Sequence, residues 1–211
     1  MKIRNLLVMG ITIALGTLCA AAQDLDGSMT FTDNLNQSIT ISRYGAVLSF
    51  KNSKGLENAT NDAFRICTTD SKCIESAIAP TEGTSAELKI KLPEQGVTIE
   101  MGQRLVVTAT VRGADLTVTR KLEWLAGSSV VNVDETIAVS SATTISSFIE
   151  GGEHFLSLDK PCPVPPGGVC PFGTRSKWKV QPGKIELTKQ LSINPRQPLR
   201  ARIKYDFSTW R

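Results

Sequence analysis

Apolar residues recur at every second position through most of the chain. Leu88, Ile90 and Leu92 share one face, with Lys89 and Lys91 on the other. Val97, Ile99 and Met101 follow a turn over 93–96, then Leu105, Val107, Ala109 and Val111 repeat the pattern. Leu116 and Val118, Leu122 and Trp124, Val131 and Val133, and Ile137 and Val139 continue it. Period-two alternation in short runs separated by turns predicts antiparallel β-strands with one buried face. No segment sustains the 3.6-residue period of a helix, and regular strand spacing points to a sandwich or barrel. The last run is the most regular. Leu199, Ala201, Ile203, Tyr205 and Phe207 point one way, while Arg200, Arg202, Lys204 and Asp206 point the other.

Elsewhere the pattern is broken. Residues 38–42 and 46–50 read as two strands of a hairpin turning at Arg43, Tyr44 and Gly45, within a polar N-terminal extension over 23–63. Residues 143–150 and Phe155-Leu156 read as an apolar flap or, preferably, as two irregular strands around a turn at Gly151-Gly152. Lys189 interrupts the apolar face of Ile185, Leu187, Leu191 and Ile193. The stretch 162–180 holds two cysteines around a Pro- and Gly-rich loop, which excludes helix or central strand there. A strand carrying Trp178 and Val180 on one face and Lys177 and Lys179 on the other follows it.

The first 22 residues carry Lys2 and Arg4, an apolar run from Leu6 to Leu18 and small residues to Ala22, the layout of a cleaved secretory signal. Gly16, Thr17 and Leu18 are the wrong residues for a lipid-modified Cys19. The expected product is secreted or lumenal (endolysosomal or vacuolar), with its main domain over 64–211. Four cysteines then remain: Cys67, Cys73, Cys162 and Cys170. Proximity favours the pairs Cys67–Cys73 and Cys162–Cys170. Their spacings are wider than those of ordinary zinc sites. Asn36 and Asn58 head two Asn-x-Ser/Thr sequons, which mark surface glycosylation in a eukaryotic source.

Charge is unevenly distributed. Residues 23–159 hold eleven basic and eighteen acidic side chains, and residues 160–211 hold eleven basic and two acidic. The basic end either meets anionic partners such as acidic membrane surfaces and glycans, or faces acidic strands of the same sheet. No feature points to nucleic acid. Catalysis finds little footing: His154 is the sole histidine, and no nucleophile elbow, phosphate loop or HExxH is present. Asp134 and Glu135 face opposite sides of their strand and read as solvated. The expectation is a non-enzymatic binding protein without cofactor or metal.

Three stretches resemble the ML lipid-recognition family, which includes the ganglioside activator and secreted sterol and phospholipid transfer proteins. They are Phe64-Arg65-Ile66-Cys67 with Cys73-Ile74-Glu75-Ser76, the run 88–111, and the cysteine loop 162–180. The resemblance covers about 64–211. It departs from the family in lacking a cysteine after Cys170 and in carrying 23–63. It implies an immunoglobulin-like antiparallel β-sandwich with a lipid (sterol, phospholipid or glycolipid) between its sheets. The inward residues that would line such a cavity are Val107, Ala109, Val111, Phe148, Phe155, Trp178, Val180, Ile203, Tyr205 and Phe207. Arg175, Lys177 and Lys179 would form a basic rim. The competing class is an extracellular adhesive or structural β-sandwich module that binds protein or glycan on its surface.

Overall fold

A computed structural model describes residues 27–60, 62–76, 83–91, 98–113, 115–151, 155–157, 178–181 and 184–209. They form an antiparallel β-sandwich built from three sheets. The N-terminal sheet is a meander of β1 (Met29–Thr32), β2 (Ser38–Ile41), β3 (Val47–Lys51) and β4 (Glu57–Ala59). The hairpin read from the sequence is its centre, with Ile39 opposite Phe50 and Ile41 opposite Val47. Gly45 makes the turn at φ 82°, a left-handed conformation that favours glycine.

The second sheet contains β5 (Ala63–Thr68), β6 (Cys73–Glu75), β11 (Thr143–Gly151), β13 (Trp178–Gln181) and β14 (Lys184–Leu187), in the order β13-β14-β11-β5-β6. β15 (Leu191–Ile193) also pairs with β11. β14 and β15 lie along different lengths of β11, and exposed Lys189 falls in the gap between them. The apolar face that this lysine seemed to interrupt is thus two strands.

The third sheet is the scaffold. β7 (Ser85–Lys91), β8 (Arg104–Arg112), β9 (Leu116–Leu125) and β10 (Val130–Val139) form a meander. β16 (Leu199–Asp206) pairs with β10, and β12 (Phe155–Ser157) pairs with β16. The two runs around Gly151-Gly152 are therefore not neighbours around a turn, because β11 and β12 belong to different sheets. Of the Val97, Ile99 and Met101 run, Val97 lies outside the described residues, and the other two are not in a strand. Ile99 makes an isolated bridge to Asp33, and Met101 sits 61% exposed in a turn.

The inner face of the meander sheet carries two covers along its length. At one end, β6 of the second sheet lies close enough that Ile74 abuts Gly113. At the other, Phe50 of the N-terminal sheet stacks on Phe207, with ring centroids 4.4 Å apart, and meets Trp124 edge-on at 6.3 Å. All three sheets feed one apolar core. The N-terminal segment thus forms a full sheet in that core, beyond the single hairpin read from the sequence. The outer face of the meander sheet is polar, and basic β16 meets acidic β10 there: Arg202 Nε donates to Asp134 Oδ1 at 2.6 Å. Part of the basic C-terminal segment therefore faces acidic residues of the same sheet.

Candidate functional site

Two features stand out once the side chains are placed. The first lies inside. Cross-strand register puts Leu88, Ala109, Arg120, Glu135 and Ala201 in one row across the inner face. In the middle of an otherwise apolar face stand a guanidinium and a carboxylate, each about 1% exposed or less. Arg120 Nη1 and Nη2 donate to Asp62 Oδ2 and Oδ1 at 2.8 and 3.3 Å. Arg120 Nε lies 3.3 Å from Glu135 Oε2. Nη1 also donates to the Gly45 carbonyl at 2.6 Å, and the guanidinium stands over the Phe64 ring. Asp62 in turn accepts the Val47 amide at 2.8 Å. Thr60 Oγ1 donates to the Val47 carbonyl and accepts the Asp62 amide.

Arg120 therefore ties together its own strand, the N-terminal hairpin and the residue that leads into β5. It sits where the two covers meet. Small residues make room for it: a Cβ at Gly45 would lie 2.6 Å from the Ala109 Cβ. Buried charges are tolerated only when compensated, and here Arg120 is ion-paired with both carboxylates and hydrogen-bonded to Asp62 and Gly45. The expectation that Glu135 is solvated is overturned. Asp134 is the outward neighbour, paired with Arg202, and Glu135 takes the inward phase of Val131, Val133 and Ile137.

The second feature is on the surface. The four exposed large apolar side chains among the described residues are Leu35, Leu56, Met101 and Leu125. Leu35 lies in the β1–β2 turn, Leu56 in the β3–β4 turn, Met101 before β8 and Leu125 at the end of β9. Antiparallel pairing brings the first two turns to one end of the N-terminal sheet. Gly127, in the β9–β10 turn, lies between Met101 and Leu35, and a Cβ there would stand 3.4 and 3.5 Å from them. Backbone ties brace this end. Buried Asp33 accepts the amides of Leu35, Gln37 and Gly127, and the Asn34 amide donates to Ile99. Leu35 and Met101 are thus presented on segments fixed to one another.

The residues expected to line a lipid cavity fall as follows. Val107, Ala109 and Val111 on β8, Phe148 on β11, and Ile203, Tyr205 and Phe207 at the C-terminal strand are all buried, and all but Ala109 belong to the core cluster. Phe155, Trp178 and Val180 are placed by their backbones: Phe155 opposite Tyr205, Trp178 opposite Leu187, Val180 opposite Ile185. Their side chains lie outside the described residues. Of the expected rim, Lys179 is exposed on β13, and Arg175 and Lys177 lie outside the described residues. At the β7 edge, Ala86, Leu88 and Ile90 pack against the core but are only partly buried.

Cys67 and Cys73 form a disulfide, as proximity suggested, between residues directly opposite each other in β5 and β6. Cys162 and Cys170, the signal stretch and His154 lie outside the described residues. Asn36 is exposed in the β1–β2 turn at φ 60°, and Asn58 lies on β4.

Beside the disulfide, Lys72 Nζ bridges Asp70 and Asp115 at 2.9 and 2.7 Å, joining the β5–β6 hairpin to the β8–β9 turn. Hydrogen bonds with Asp115 and Asp70 push the Lys72 ammonium up from its ordinary value. Asp70 is held below the carboxylate range by Thr68 and Lys72, and Asp115 by Lys72. Among the described residues no group of three or more His, Cys, Asp or Glu could hold a metal ion, and no helix is long and apolar enough to cross a membrane. The chain matches no known family model and no curated protein.

Proposed function

We propose that the protein is an extracellular recognition module, a non-enzymatic β-sandwich that binds a partner protein on its surface. The observation that carries this reading is the braced apolar end at which exposed Leu35 and Met101 meet over Gly127. Clustered exposed apolar side chains on a polar-faced domain mark interaction sites, whereas single ones do not. Their fixed turns lower the ordering cost of binding. The filled inner face, with Phe207 stacked by Phe50, supports surface binding over storage of a ligand inside. A photo-crosslinker at position 101 is expected to capture a partner from the extracellular material of the host, and one at Ser141 at the opposite end is not. Equal capture at both positions overturns the reading.

A second reading, lipid carriage between the sheets as in the ML family, draws on the β7 edge. There Leu88 and Ile90 are half-buried beside fully buried Ala109 and Val107. Mass spectrometry of an organic extract of protein purified from its host separates the two. Stoichiometric lipid supports carriage; a lipid-free protein supports the surface module.

A further inference from the structure

We propose that the N-terminal sheet is a cover that opens as one unit over the aromatic inner face of the meander sheet, held shut by the Arg120 seam. This goes beyond the surface-module reading and does not depend on it. The cover is contiguous in sequence, and its strands pair only in the order β1-β2-β3-β4. It can therefore leave without breaking a ladder of either other sheet. Its local, sequential pairing is the contact pattern of a small cooperative unit.

What holds it is its share of the apolar core together with directional polar contacts outside the ladders. At the seam, Arg120 binds the Gly45 carbonyl and Asp62 binds the Val47 amide. At the apolar end, Asp33 takes the Gly127 amide, and segment 98–100 bridges to β1's end through Ile99 and Thr32. Between them lies the Phe50 stack on Phe207 and its edge contact with Trp124. The polar contacts are directional and fail together once the sheets part. The apolar contact is the inner face of the cover: Phe31, Ile39, Ile41 and Val47 are buried in the shared core, and Phe50 stacks on Phe207 with an interplanar angle of 1°. Beneath the cover, Leu105, Leu122, Trp124 and Phe207 make a continuous apolar face. Opening would expose that face while β8, β9, β10 and β16 stay paired.

Native-state hydrogen exchange read by mass spectrometry tests this on the unmodified chain. Amides in 38–41 and 47–51 are expected to exchange with one common rate, about tenfold or more faster than those in 105–111 and 131–139. Phe50→Leu keeps an apolar side chain but removes the ring stack. It should speed exchange in 38–51 by a further ~10-fold, an expectation from the local-opening model, and leave 131–139 unchanged. Equal rates in the two sheets of the wild type, or a variant that speeds both alike, would show that the cover leaves only by global unfolding and would overturn the proposal.

Discussion

Arg120 and Asp62 meet at 2.8 Å with their side chains 1% and 0% exposed, and one residue comes from the middle of β9 while the other leads into β5. The pair lies at the junction of three sheets, with Glu135 as a third charge. A buried ion group of this kind contributes little net stability beyond an apolar equivalent, but removing one member is costly. Its better-attested role is to fix one arrangement among several. Here that arrangement is the docking of the N-terminal hairpin.

The first prediction follows. Arg120→Met should destabilise the protein by about 3–5 kcal/mol, because two carboxylates are left buried without their cation. Adding Asp62→Asn and Glu135→Gln should recover part of that loss, since no buried charge then lacks compensation. Urea unfolding of the wild type, the single and the triple variant checks it. A triple variant as unstable as the single one would mean the cost comes from lost packing of the long side chain, not from charge.

Gly45 and Ala109 give a second test. Gly45→Ala forces a side chain into a left-handed turn and onto the Ala109 methyl at 2.6 Å. Overpacking typically costs about 1–3 kcal/mol, and the backbone strain adds to it. Gly45→Ala with Ala109→Gly should return only the steric part. A double-mutant cycle therefore should show a favourable coupling of about 0.5–3 kcal/mol. Additive losses would place the hairpin turn away from β8.

How far these features were legible in the sequence depends on phase. Alternation located β8, β10 and β16 and their inner faces, and punctuation by glycine located the β2–β3 hairpin. Arg120 and Glu135 are harder to place, because a charge inside an alternating run reads as a break in the pattern or as a solvated position. Arg120 is in phase with Leu116, Val118, Leu122 and Trp124, and Glu135 with Val131, Val133 and Ile137. A charge at an inward phase of a ten-residue strand was the available signal. Asp62 offered none, since its role depends on contacts 58 residues away. The apolar end was likewise out of reach: Leu35 and Met101 come from distant turns, and only the folded chain brings them together over Gly127. The division of Ile185 to Ile193 into two strands hinges on register with β11, which alternation does not encode.

The Cys67–Cys73 disulfide supports a third prediction. It closes a short hairpin loop that Thr68 and Lys72 already close by a backbone hydrogen bond. In the chain-entropy model so short a loop contributes only about 2–3 kcal/mol. Cys67→Ser with Cys73→Ser should therefore stay folded with a lowered Tm, read by circular dichroism. Complete loss of folding would show that the bond positions β6 rather than merely constraining the unfolded chain.

The last prediction concerns pH and the Lys72 clasp. Lys72, Asp70 and Asp115 are open to solvent over a third to a half of their side chains, so their effect on stability is small. The signs are nonetheless definite. Asp70 and Asp115 titrate below their ordinary value in the folded protein, so their contribution is present above the ordinary carboxylate range and fades as pH falls through the lowered values. Lys72 titrates above its ordinary value, so its contribution is present at and below that value and fades only at more alkaline pH. The clasp is thus whole across neutral pH and weakens first on the acid side, below about pH 4. Lys72→Met removes the cation that lowers both carboxylates. The difference in Tm between wild type and variant should be largest near neutrality, shrink as pH falls from 5 to 2, and shrink again at high salt. Tm curves that stay parallel over that acid range would mean the clasp adds nothing, and that apolar packing such as Ile74 against Gly113 holds the β5–β6 hairpin to the β8–β9 turn.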